Sequence, residues 1–263
     1  MQVVHQLVRA IVVLTAFQSV AAGTPAARPA PPEVNVYAAA SLRDVLRQLA
    51  PVCEEAVGAH LVFNFGASND LARQIEAGNK ADVYFSADEA WMDHVARAGL
   101  VDSESRHSLL SNRLVVVGLK DTRLNVRSAR DLVGPDVRRI ALADPGAVPA
   151  GKYAKAWLEK AGLWDGIRDR VLPGIDVRAA LAAVEAGGAE IGVVYRTDAA
   201  MSKRVRIVYE VPEAEGPRIS YPVAAMRDRP RLDVARRVVA CLSGPAPAAT
   251  FEHYGFIVQG QPH

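Results

Sequence analysis

Two cysteines, Cys53 and Cys241, are all that a chain of 263 residues carries. They form neither a CxxC pair nor a Cys/His cluster, so the spacing excludes a structural zinc site. An excess of one charge is also lacking. The 31 Lys+Arg against 29 Asp+Glu leave a net +2, too neutral to point to nucleic acid or an anionic membrane surface as partner. No P-loop, GxGxxG or HExxH motif occurs. No apolar run approaches the roughly 20 residues that a membrane-spanning helix needs.

What is present is ordinary globular material, 50% hydrophobic and 23% charged, and long enough for two lobes with their own cores. The first 22 residues read as a leader. Arg9 precedes the apolar run Ala10–Phe17, and the small residues Ser19, Ala21 and Ala22 follow. That order is a secretory signal peptide cut near Ala21 or Ala22. Residues 23–33, "GTPAARPAPPE", read as a Pro/Ala tether. No cysteine lies near the cut, so no lipid attachment is expected. In an exported chain Cys53 and Cys241 suit either one disulfide or two separate buried thiols.

From Val34 onward strands and helices alternate. "VNVYAAA", "HLVFNFG", "ADVYFSA" and "RLVVVGL" read as strands. Between the first two, Leu42, Val45, Leu46, Leu49, Val52 and Cys53 recur at helical spacing. After a polar stretch near Asp121–Arg130 the alternation resumes with "RRIALAD", helices from Ala150 and Val177, and "EIGVVY". Two helices close the chain. Continuously apolar strands between helices predict an α/β fold with parallel sheets covered on both faces. The expected division is one lobe of residues 34–118 and 222–258, and a second of 119–221.

Four helix starts stand out because they hold no reactive group. They are "AAASLRDV" at Ser41, "FGASNDLA" at Ser68, "VPAGKYAK" at Ala150 and "GIDVRAAL" at Val177. Ligands of α/β folds bind beyond the carboxyl ends of the strands, where helix N-termini converge. Free N–H groups and the helix dipole make such a place an anion site. Neutral donors alone suit an oxyanion that is fully ionised and needs no acceptor. Phosphate differs, because it keeps a proton that seeks a carboxylate. The plain alternatives are helix caps at Ser41, Ser68 and Asp176, and a helix entry at Pro149.

The ordered set "AAASLRDVL", "FGASNDLARQIEAGNKADVYFSADEAWMD", "LLSNRLVVV", "DPGAVPAGKYAKAWLEKAGLWD", "VRAALAAVEAGGAEIGVVYRTDA" and "FEHYGF" resembles the periplasmic molybdate-binding proteins of molybdenum ABC importers. The likeness runs from about Val34 to Phe256. It implies a type II periplasmic binding fold, two lobes on a two-stranded hinge, acting as a monomer with a membrane permease as partner. It implies molybdate or tungstate as ligand, with no catalysis and no cofactor. The ligand set it implies is the hydroxyl and N–H of Ser41 and Ser68, the N–H of Ala150 and Val177, and the hydroxyl of Tyr195. Asn69 and Asp70 depart from the small residues expected after Ser68. A carboxylate there would weaken dianion binding unless Asp70 points away.

Three alternatives stay open. Another oxyanion, such as sulfate, would use the same donors, as would a sensor subunit with a different membrane partner. A hydrolase using Ser68 of "GASND" lacks the last glycine of a nucleophile elbow and needs a placed histidine. His60, His94, His107 and His253 have no motif around them. The basic "RDRPRLDVARRVV" reads as a solvated helix face, and Trp91, Trp157 and Trp164 read as core.

Overall fold

The computed structural model describes residues 31–78 and 80–259. The leader, and the tether up to residue 30, lie outside them. β1 (Glu33–Ala39) passes through a 3-10 turn, Ala40–Leu42, into α1 (Arg43–Val57). There follow β2 (His60–Gly66), α2 (Ser68–Glu76), β3 (Val83–Phe85), α3 (Glu89–Arg97) and β4 (His107–Ser111). Next come β5 (Leu114–Leu119), β6 (Ile140–Ala143), α4 (Pro149–Lys160), α5 (Trp164–Ile167) and β7 (Val171–Gly174). α6 (Val177–Glu185), β8 (Ile191–Tyr195), α7 (Arg196–Ala200) and β9 (Val205–Glu210) complete the middle. β10 (Tyr221–Ala225), α8 (Leu232–Leu242), α9 (Pro245–His253) and β11 (Ile257–Val258) close it.

The strands form two sheets, ordered β11-β4-β10-β3-β1-β2 and β7-β6-β8-β5-β9. Each sheet with its helices is called a lobe below. Two expectations need correction. The sheets are mixed rather than parallel: β1 runs parallel to β2 and β3, and β6 to β7 and β8, but β5 and β10 run antiparallel to their neighbours. These are the strands that follow a change of sheet, so they enter against the local direction. The crossing also falls earlier than Leu119. β5 pairs with β8 and β9, so the chain changes sheet at Asn112–Arg113 and returns between Glu210 and Tyr221.

Packing follows the helical periodicity. α1 buries Val45, Leu46, Leu49, Cys53 and Val57, while Val52, counted on the same stripe, is exposed. Gly58 ends the helix in the left-handed region at φ 67°, which costs glycine nothing. Trp157 is buried, whereas Trp91 and Trp164 are only partly covered. Cys53 on α1 and Cys241 on α8 form a disulfide with Cα atoms 5.8 Å apart and 188 residues apart in sequence. That settles the choice between bridge and thiols. A loop so long puts the chain-entropy stabilisation near the upper end of the usual range, about 5 kcal/mol. Among the described residues no helix is long and apolar enough to cross a membrane.

Candidate functional site

Ser41, Ser68, Ala150, Val177 and Tyr195, from five separate stretches of sequence, line one small, tight hollow of about 10 Å³ between the lobes. Ala39, Ala40, Gly66, Ala67, Ala87, Val148, Pro149 and Asp176 complete it. Larger hollows lie elsewhere on the surface, one lined by Asp88, Glu89, Lys152 and Arg218. The small cavity is where the strand ends and helix starts meet.

Neither serine is a helix cap. Ser68 is the first residue of α2, whose N-cap Ala67 has no side-chain cap bond. Its Oγ accepts the Ala87 N–H at 2.9 Å, which leaves its own proton to donate elsewhere. Ser41 lies in the 3-10 turn ahead of α1, with Oγ 3.1 Å from the Tyr221 hydroxyl. Asn112 Nδ2 donates to that tyrosine oxygen at 3.4 Å and to Thr197 Oγ1 at 2.9 Å. The Asn112 amide is oriented by Arg113 N–H, which donates to its Oδ1. Either hydroxyl can donate in the Ser41–Tyr221 pair; with Tyr221 as donor, the serine proton is left for the cavity. The pairing register of β10 shifts between Tyr221 and Pro222, next to that tyrosine.

The second lobe presents backbone. α4 starts at Pro149, which has no N–H, and its N-cap Val148 makes no side-chain cap bond. Ala150 is the next residue, and the first turn of a helix leaves its N–H groups unpaired. Gly151 lets this start sit against β6: a Cβ there would lie 2.1 Å from the Ala143 carbonyl oxygen and 2.5 Å from that of Asp144. α6 starts at Val177, and Asp176 Oδ1 caps it by accepting the Ala179 N–H at 2.8 Å.

Tyr195 ends β8. It is 1% exposed, and its hydroxyl has no hydrogen-bond partner among the described residues. Burial, reinforced by Tyr221, holds its pKa far above the ordinary phenol value, so it is a donor at every physiological pH. Asp70 is exposed and turned away, paired with Arg73 at 3.4 Å and accepting from Asn69 Nδ2. Among the described residues Asp176 is the only charged side chain in the lining.

Three contributors beyond the five were missed by sequence reasoning. Tyr221 and Asn112 act through pairings 180 and 109 residues away, which no local pattern announces. Asp176 was read as a cap, which it is, but not as part of the wall. Among the described residues no cluster of His, Cys, Asp or Glu is suited to hold a metal cation. What the cavity can do chemically is donate hydrogen bonds from several directions to something small.

The chain belongs to the bacterial extracellular solute-binding proteins, whose family model matches residues 34–257. Within that class it is 39% identical over 236 residues to the molybdate-binding protein ModA of Escherichia coli (strain K12), covering 86% of this chain and 90% of that one. Among solved structures it is similar to the substrate-binding domain of a putative molybdenum ABC transporter from Clostridium difficile. That match has TM-score 0.68 and 29% identity, over 87% of this chain and 99% of the other. The periplasmic molybdate-binding protein of Azotobacter vinelandii superposes with TM-score 0.77 at 23% identity, over 86% of this chain and all of that one. That likeness carries the fold, the type II periplasmic binding architecture.

Proposed function

We propose that the chain is an extracytoplasmic, non-enzymatic receptor that takes molybdate, and with it tungstate, between its lobes. It delivers the anion as a monomer to the membrane permease of an ABC importer, after export on a cleaved leader. The observation that carries this reading is the buried, protonated, partnerless hydroxyl of Tyr195 in a cavity otherwise walled by serine hydroxyls and helix starts. A buried polar group left unpaired costs about 1–3 kcal/mol, and an entering oxyanion would remove that cost. The 39% identical relative named for molybdate supports the choice of anion.

The donor set fits a dianion that carries no proton. In this reading the hydroxyls of Ser41, Ser68 and Tyr195 and the amides of Ala150 and Val177 hold its oxygens from both lobes. Contacts to both lobes exist only when the cleft is shut, so the anion shifts the population toward the closed form. Hydrolysis is disfavoured at Ser68, whose Oγ faces the Ala87 N–H, a group that cannot take its proton. His60, His94 and His107 are engaged elsewhere, with Glu54, Glu76 and the Ser105–Ser243 pair.

Thermal unfolding with molybdate, tungstate, sulfate and phosphate at equal concentration tests the reading. A ligand at 100 times its dissociation constant adds about 2.7 kcal/mol of stability. Shifts with molybdate and tungstate alone are expected. A shift with phosphate would make Asp176 an acceptor in the site, and a shift with sulfate alone would reassign the anion. Silence from all four would end the oxyanion reading.

A further inference from the structure

Arg178 is the second residue of α6, directly after Val177. A cation in the first turn of a helix meets the positive end of the dipole and is disfavoured there. Its compensation comes from two directions. Nη2 donates to Asp44 Oδ2 at 2.6 Å, and Asp44 lies in the first turn of α1, on the other lobe. Nε lies 2.5 Å from Asp198 Oδ1, on α7 behind Tyr195. Asp198 is fully buried, and neither of its oxygens has a well-aligned hydrogen bond among the described residues. Arg178 is the charge in contact with it.

One guanidinium therefore ties α6, which begins at Val177, to the two helices that directly follow Ser41 and Tyr195. We infer that Arg178 is a positioning residue whose two arms have separate duties. The Nε arm holds Asp198 and the α6–α7 corner together within the second lobe. The Nη2 arm is a clasp across the cleft, made when the lobes close on Ser41 and Val177 and broken when they part. The clasp slows release of the bound oxyanion, an inference that rests on the function proposed above.

The chemistry of the fork supports the division, since a guanidinium serves two carboxylates at once and an ammonium does so poorly. The contact belongs to the closed form, so its free energy favours that form alone. Such effects fall mainly on dissociation rates. Two more contacts cross between the lobes beside α4: Lys152 Nζ lies 3.6 Å from Asp88 Oδ2, and Trp91 Nε1 donates to the Ala147 carbonyl at 2.9 Å. The Arg178–Asp44 pair does the same service beside α6.

Removing Arg178 outright would strand the Asp198 charge and endanger folding, so Asp44→Ala carries the test. Molybdate release from the mature protein is followed by stopped-flow tryptophan fluorescence. Asp44→Ala should release about three- to tenfold faster with association little changed. Arg178→Lys should do the same, and the double variant should be no faster than either single one. In parallel, ligand-free Asp44→Ala should scatter X-rays with a larger radius of gyration than wild type. Wild-type release from Asp44→Ala, or additive effects of the two substitutions, would overturn the clasp. If wild type takes up no molybdate, the ligand reading fails by itself. The scattering pair then decides the clasp, and equal radii sink it.

Discussion

Ser41 and Ser68, on the first lobe, meet the cavity with hydroxyls already held by neighbours, one by Tyr221 and one by the Ala87 N–H. Ala150, Val177 and Tyr195, on the second, meet it with helix-start amides and a hydroxyl that has no partner. The first wall is satisfied before any ligand arrives, and its spare protons are aimed by hydrogen bonds. The second wall is set by backbone position and by the Asp176 cap of α6, and it carries an unpaired polar group. In the proposed function, such a pairing would combine preorganisation on one side with a stored incentive to bind on the other.

The largest way to break that contrast is through the backbone of the second wall. Gly151→Ala would put a methyl 2.1 Å from the Ala143 carbonyl oxygen, so α4 must lift off β6. We expect a loss of about 3 kcal/mol or more in denaturant unfolding, the upper range for overpacking against backbone, together with loss of anion binding. Gly66 is its counterpart on the first wall. There a Cβ would find Leu71 Cδ2 at an ordinary 3.5 Å. Gly66→Ala should change stability by less than about 1 kcal/mol. Equal effects at the two glycines would refute the claim that only the second wall depends on a close backbone approach.

A finer test separates affinity from stability. Tyr195→Phe removes the orphan hydroxyl, so the ligand-free protein should be as stable as wild type or more so. Its molybdate affinity should fall by about 2 kcal/mol, the worth of a hydrogen bond to a charged group. Ser68→Ala should lower affinity by a similar amount and also lower stability by about 1 kcal/mol, because Ala87 N–H loses its acceptor. Titration calorimetry paired with thermal unfolding reads both quantities. Parallel behaviour of the two variants would erase the distinction between a satisfied and an unsatisfied wall.

The four helix starts were legible in the sequence because their parts are local. A helix start is marked by a strand ending, a small residue and a return of helical spacing, and all four starts converge on the cavity as that pattern implied. The strands' periodicity also carried the α/β class. What was not legible is what depends on partners far along the chain. Whether β5 joined the first or second sheet turned on pairing with β8 and β9, since "RLVVVGL" suits any central strand. The relay from Asn112 through Tyr221 to Ser41 has no local signature either. Arg178 did leave a trace: a cation in a helix's first turn violates the dipole preference, and such violations gather at functional places.

Each lobe also carries an arginine–aspartate pair, and the two titrate in opposite senses. In the second lobe burial pushes the Asp198 carboxyl up to about 6, against the pull of Arg178. In the first lobe a hydrogen bond from Arg236 holds Asp102 below the usual carboxylate range. The signs follow from linkage. A carboxyl whose folded pKa is raised contributes stability that is complete below its unfolded value near 4 and is lost as pH rises through about 6. One whose folded pKa is lowered contributes stability present above its unfolded value and lost as pH falls through the folded one. The ligand-free protein should therefore lose about 1 kcal/mol through Asp198 between pH 5 and pH 7. Asp198→Asn, which keeps the shape and removes the titration, should show a flatter stability profile than wild type across that window. Asp102→Asn should match the wild-type slope there and depart from it only in more acid solution. If the two variants instead flatten the same window, the buried pair behind Tyr195 is no different in kind from the peripheral pair at Arg236, and the second wall draws no particular strain from its charges.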